Sequence, residues 1–119
     1  NLKALATLHR TIVESGAHTV LYMHPGLHAL PDIKHPVAQI YVSFCKDLST
    51  MEINGETHQV TLVPVLLLWL DAIRHYGVEG WYVDYGHGNA LARYASACML
   101  YTYITGGTRE RILSGSLPS

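Results

Sequence analysis

Charge is scarce in this chain and neither sign dominates: eight Lys and Arg stand against nine Asp and Glu in 119 residues, 14% of the total, for a formal net charge of −1. Without a basic face or an acidic tract there is no electrostatic footprint for nucleic acid or an anionic membrane surface, and both are set aside as partners. Long apolar runs are missing too. The longest, Val63 to Leu70, falls far short of the ~20 residues that a bilayer-spanning helix requires, so no membrane span is expected. Cysteine occurs only at Cys45 and Cys98, far apart and both in helix-like runs, which reads as two small buried apolar residues rather than a disulfide or a redox pair. There is no initiating methionine and no charged-then-apolar leader, so processing or truncation is expected to have removed the true start. The compartment stays open, with secretion or a periplasmic location compatible. Internal repeats and low-complexity segments are also missing.

What is present is a hydrophobic fraction of 49%, enough for one globular domain. Leu2, Leu5, Leu8, Ile12 and Val13 recur at helical spacing before Ser15-Gly16, which predicts an amphipathic helix over 2–15. Residues 18–23, β-branched and nearly continuously apolar, read as a strand covered on both faces. Pro36 suits the first turn of a helix over 36–49 whose face is Val37, Ile40, Tyr41, Phe44, Cys45 and Leu48. Asn54-Gly55 signals a small hairpin between Met51 and His58. A second buried-type strand follows over 60–65, then a helix over 66–76 stopped at Gly77. Asn89 can cap a last helix over 89–105 with Leu91, Tyr94, Ala95, Cys98, Tyr101 and Ile104 on one face. Residues 108–119 form a polar tail, expected to be loose.

Strand, helix, strand with a crossover of this length is a βαβ unit, which predicts a parallel pair. Helix 66–76 would carry the chain ~16 Å back toward the amino ends of the strands at ~1.5 Å per residue. Residues 78–86, if extended, would return it and leave His87 outside the carboxyl ends of the strands, where ligands bind in open α/β sheets. His87 and Asp84 sit three apart there, in a glycine-rich connection. Imidazole titrates near ~6.5 and can accept and return a proton at neutral pH, while a neighbouring carboxylate fixes its tautomer. These are two members of a nucleophile, base and orienter set. No serine in the chain has a recognisable setting for the third.

Eight histidines invite a metal reading, above all His18, His24 and His28. Strand alternation puts His18 and His24 on one face but a whole strand apart, and no Cys or acidic cluster completes a tetrahedral set, so no metal or cofactor is implied. Asp32 and His35 repeat the Asp-x-x-His spacing without a following helix pattern and read as a turn and pre-helix segment. Trp69 and Trp81 read as core rather than as the lining of a sugar or acyl pocket.

Asp84-Tyr85-Gly86-His87, followed by Leu91, Tyr94, Ala95, Ala97, Cys98, Tyr101, Thr105 and Gly106, resembles the C-terminal block of the SGNH hydrolase superfamily, the GDSL-like esterases. Leu62-Val63-Pro64-Val65 with Trp69 is similar to that family's last strand and following helix, and Leu5 to Met23 to the helix and strand before them. The chain departs from the pattern at Gly88, where proline is frequent, and at Ala92, where glycine is frequent. The resemblance implies that residues 1–107 are the C-terminal half of a three-layer α/β/α, flavodoxin-like SGNH domain, with two parallel strands and four helices. It implies His87 as general base and Asp84 as its partner, with the nucleophilic serine, oxyanion glycine and asparagine in a missing N-terminal half. The implied activity is hydrolysis of an ester, most naturally an acetylated carbohydrate, through an acyl-enzyme. This stretch alone is then expected to be inactive and, with an apolar strand edge at Val20-Leu21-Tyr22 left open, to be an uncomfortable monomer. The alternatives are a noncatalytic carbohydrate-binding or assembly module on the same scaffold and a histidine-rich metal-binding domain.

Overall fold

The computed structural model of the chain describes residues 1–26 and 34–106, so His28, Asp32 and the tail 108–119 lie outside the described residues. The elements run α1 (Leu2–Glu14), β1 (Val20–Tyr22), α2 (Lys34–Thr50), β2 (Glu52–Ile53), β3 (Glu56–Thr57), β4 (Thr61–Val63), α3 (Val65–Tyr76) and α4 (Ala90–Thr105). This is a mixed α/β protein with four helices and a small parallel sheet. No helix among the described residues is long and apolar enough to cross a membrane.

β1 and β4 pair in parallel with Val20 opposite Thr61, Leu21 opposite Leu62 and Tyr22 opposite Val63. Both strands are shorter than their apolar runs, for local reasons. Backbone bonds still reach one residue beyond β1 at each end, Thr61 N–H to the Thr19 carbonyl at 3.1 Å and Met23 N–H to the Val63 carbonyl at 3.0 Å; His18 beyond them bonds Thr61 Oγ1 through Nε2 at 2.7 Å, and Pro64 has no N–H to give a ladder. Pro64 instead opens α3, whose Leu66 N–H finds the Met23 carbonyl at 3.2 Å. That bond satisfies one of the donors a helix start leaves over and locks α3 to the end of β1.

Alternation along the two strands divides the core. Val20 and Val63 join Val65, Trp69, Ala72, Trp81, Tyr82 and Ala92 on the side of α4, whereas Leu62 joins Met23, Ala38 and Leu66 on the side of α2. The sheet is therefore covered by a helix on each face. The Asn54-Gly55 signal is realised in the β2–β3 hairpin, where φ is 54° and 84° at the two turn residues, the left-handed pair a two-residue turn needs. Cys45 and Cys98 are free and half-buried, rather than fully buried as their surroundings suggested.

Two helix faces differ from the sequence reading. In α1 the buried position is His9, flanked by half-buried Leu5, Ile12 and Val13, while Leu2 and Leu8 are exposed. His9 is 1% exposed and its Nδ1 lies 2.7 Å from Thr19 Oγ1. In α4 the buried residues are Ala92 and Ser96, and Leu91, Tyr94 and Ile104 of the expected face are exposed. α2 likewise leaves Ile40 exposed.

Burial, reinforced by the facing His58 and His18, holds the His9 imidazole below its ordinary value of 6.5, against a smaller opposing pull from the Leu48 carbonyl. A group whose charged form is disfavoured in the fold contributes stability that is whole above its unfolded value and is lost as pH falls below it. The melting temperature is expected to drop between pH 7.5 and 5, and His9→Leu to flatten that slope. An unchanged slope in thermal melts of the variant would show that His9 is not the titrating group.

Candidate active site

The chain between α3 and α4 does not run extended, as its length allowed, but folds into turns and a closed loop. Trp81 and Tyr82 donate backbone N–H groups to the Val78 carbonyl at 3.1 and 2.9 Å, and an antiparallel bridge joins Tyr82 to Gly88. Val83 N–H then reaches the His87 carbonyl at 2.9 Å and Asn89 N–H the Trp81 carbonyl at 2.8 Å, so residues 82–88 form a loop tied at its neck. Two buried aromatic rings anchor it. Trp81 stacks on Tyr76 with centroids 5.9 Å apart, and Tyr82 meets Trp69 edge-on at 5.0 Å. Asn89 does double duty, its Oδ1 accepting from Ala92 N–H at 2.9 Å as the cap of α4 and its Nδ2 donating to the Gly80 carbonyl at 2.8 Å.

At the loop tip Asp84 and His87 come together. Asp84 Oδ1 accepts the backbone N–H of Gly86 at 2.9 Å and of His87 at 2.8 Å, and His87 Nδ1 lies 2.9 Å from Oδ1 and 3.0 Å from Oδ2. An aspartate bonding backbone N–H groups two and three residues on is a local turn former, which is why the three-residue spacing suffices to build the pair. The Gly86 N–H first, then the His87 ring, holds the Asp84 carboxyl below the usual carboxylate range. A carboxylate only accepts, so Nδ1 carries the proton and Nε2 is left with its lone pair. The His87 side chain is 79% exposed and that of Asp84 56%, which keeps Nε2 open to a ligand.

His87 and Asp84 line a cleft of about 400 Å³ with Tyr22, His24, Trp69 and Arg93. Tyr22 ends β1 and His24 follows it, so the loop stands at the carboxyl ends of the parallel strands despite its folded path. Tyr82 Oη donates to the Gly26 carbonyl at 3.2 Å and ties the loop to the chain leaving β1. No serine, threonine or cysteine lines the cleft among the described residues. Ser96, a buried hydroxyl bonded to the cleft-lining Trp69, accepts from its Nε1 at 2.7 Å and donates to the Ala92 carbonyl at 2.8 Å. His18 bonds Thr61 across the strand pair, His24 Nδ1 accepts from Gly26 N–H at 3.0 Å, and no group of three metal-ligating side chains occurs among the described residues. Arg93 and Tyr22 were not singled out from the sequence. The signal for Arg93 was its place in the first turn of the helix that follows His87.

Gly88 explains why the loop can sit so close to the core. A Cβ there would fall 2.6 Å from Trp69 Cη2 and 2.8 Å from the Ala92 Cβ. The residues at 88 and 92 thus form one packing solution, a missing Cβ at the first making room for the Cβ of the second. Gly88→Ala is expected to cost ~1–3 kcal/mol through overpacking. Chemical denaturation would read this as a lowered midpoint, and an unshifted midpoint would mean that the Trp69 ring swings clear.

No protein-family model, curated protein or solved structure matches the chain.

Proposed function

We propose that the Asp84–His87 pair is the orienter and general base of an SGNH-type serine esterase, and that the chain supplies the C-terminal half of that domain. The carrying observation is the 2.9 Å contact between His87 Nδ1 and Asp84 Oδ1, which leaves Nε2 as an open base on a cleft at the carboxyl edge of a parallel sheet. In this reading an upstream serine loses its proton to His87 Nε2 as its Oγ attacks the ester carbonyl. The imidazolium, steadied by Asp84, then returns that proton to the departing alcohol, and water repeats the sequence to free the acid. Acetylated carbohydrate is the substrate class that the resemblance favours. The full-length protein should show a burst of p-nitrophenol from p-nitrophenyl acetate, with an acetyl group trapped on a serine upstream of Asn1 and found by peptide mass spectrometry. Steady turnover with no acylated serine would rule out the acyl-enzyme route.

A second reading, a noncatalytic carbohydrate-binding or assembly module, draws on the lack of a serine, threonine or cysteine among the described residues lining the cleft. Saturable binding of an acetylated oligosaccharide that the full-length protein leaves intact would favour it.

A further inference from the structure

Among the described residues, four ionisable side chains other than tyrosine line the cleft: His24, Asp84, His87 and Arg93. Asp84 is the one carboxylate of that set, and it is engaged by two backbone N–H groups and the imidazole. Arg93 makes no ion pair among the described residues, the single one there being His87 with Asp84. The guanidinium is always charged and presents its donors in a planar fork suited to a carboxylate or phosphate. The Arg93 backbone is set in the first turn of α4, where its N–H donates to the Asn89 carbonyl at 3.0 Å, directly after the loop that carries His87. A substrate with its ester beside His87 Nε2 would therefore have, against another part of it, a cation with no ion-pair partner among the described residues. From this juxtaposition we propose that Arg93 makes the cleft selective for esters that carry an anionic group, a carboxylate or phosphate, a few ångströms from the scissile bond. The proposal rests on the hydrolase reading above and narrows its substrate class from neutral acetyl esters to acidic ones. The anion sits either on the acyl side, as in a half-ester of a dicarboxylic acid, or on the alcohol side, as in an acetylated acidic sugar.

The test compares three substrates with the full-length protein: p-nitrophenyl acetate, mono-p-nitrophenyl succinate with its charge on the acyl side, and 4-carboxyphenyl acetate with its charge on the leaving group. In Arg93→Gln the ratio of kcat/KM for one of the charged esters to that for p-nitrophenyl acetate is expected to fall about fivefold, the size of an exposed ion pair. The loss should appear in KM, be partly restored in Arg93→Lys, and shrink in high salt as screening removes the attraction. Which charged ester responds assigns the anion to the acyl or the alcohol side. Ratios for both that match wild type would overturn the proposal. If no ester is turned over, or His87→Ala remains fully active, the hydrolase reading is the part that fails. Arg93 is then judged by titrating succinate and inorganic phosphate against the side-chain NMR signals of His87: saturable shifts lost in Arg93→Gln sustain an anion site, and their absence in wild type removes it.

Discussion

In the hydrolase role proposed above, replacing His87 by Ala in the full-length protein is expected to lower kcat/KM for a responsive ester by on the order of 10⁴-fold or more, because the proposed base would be gone. Asp84→Asn should cost less, ~10²–10⁴-fold. An amide in place of the carboxylate can still bond the loop N–H groups that Asp84 Oδ1 now accepts, but it no longer demands a proton on Nδ1, so the wrong tautomer becomes available and the imidazolium loses its counter-charge. The pH profile separates the two roles. The Asp84 carboxyl lies below its ordinary value of 3.8 through the Gly86 N–H and the His87 ring, so its support of the loop is whole above that value and lost only as pH falls through the lowered one. Asp84→Asn therefore removes a charge that the wild type carries at every pH above that lowered value, a loss that His87→Ala does not share. A His87→Ala enzyme within a few-fold of wild type would reject His87 as the base.

The largest effect on stability is expected from Trp69→Ala, at ~3–5 kcal/mol, a large part of the total for a domain of this size. Trp69 is buried between Trp81 at 6.0 Å and Tyr82 at 5.0 Å, meets both edge-on, and bonds Ser96 through its indole nitrogen. Its ring also fills the space above Gly88, so its removal undermines the loop as well as the core. Trp69→Phe keeps most of the ring but loses the bond to Ser96, and should fall well short of the alanine variant. Denaturant melts followed by circular dichroism would measure both. A loss below ~1 kcal/mol for Trp69→Ala would mean that the two aromatic neighbours collapse into the gap.

Much of this was legible in the sequence, and what was not has physical causes. The helices came within about two residues of their periodic patterns, the usual scatter of helix ends, and the Asn54-Gly55 hairpin followed from turn chemistry alone. The parallel pairing followed from the strand–helix–strand order. The buried faces of α1 and α4 did not. α4 is apolar nearly all round, with Leu91, Tyr94 and Ile104 as eligible by residue type as Ala92 and Met99, so periodicity could not rank its faces. The small Ala92 and Ser96 face inward because Trp69 already fills the space opposite them. His9 was passed over because a buried imidazole is recognised only by the partner that satisfies it, here Thr19 across the turn after α1. The contact between Asp84 and His87 could be foreseen because it depends on three residues of chain. Arg93 could not, because its place in the cleft depends on how α4 docks.

The parallel pairing of β1 with β4 also sets an order of events for the folding chain. β1 and β4 meet across a connection that contains all of α2 and the β2–β3 hairpin, and closing so long a loop before any contact is gained is entropically slow. The hairpin and α2 are local and form on the microsecond scale. Once they have formed, Ser49 Oγ near the end of α2 accepts Val60 N–H at 3.0 Å and delivers β4 alongside the place β1 must take. The His87 loop can close through its own neck bonds, but its tie to the Gly26 carbonyl beyond β1 needs β1 in place. The Asp84–His87 contact is local and need not wait, but the cleft it shares with Tyr22 and His24 must, so whatever slows the strand pairing delays the cleft more than it delays the helices.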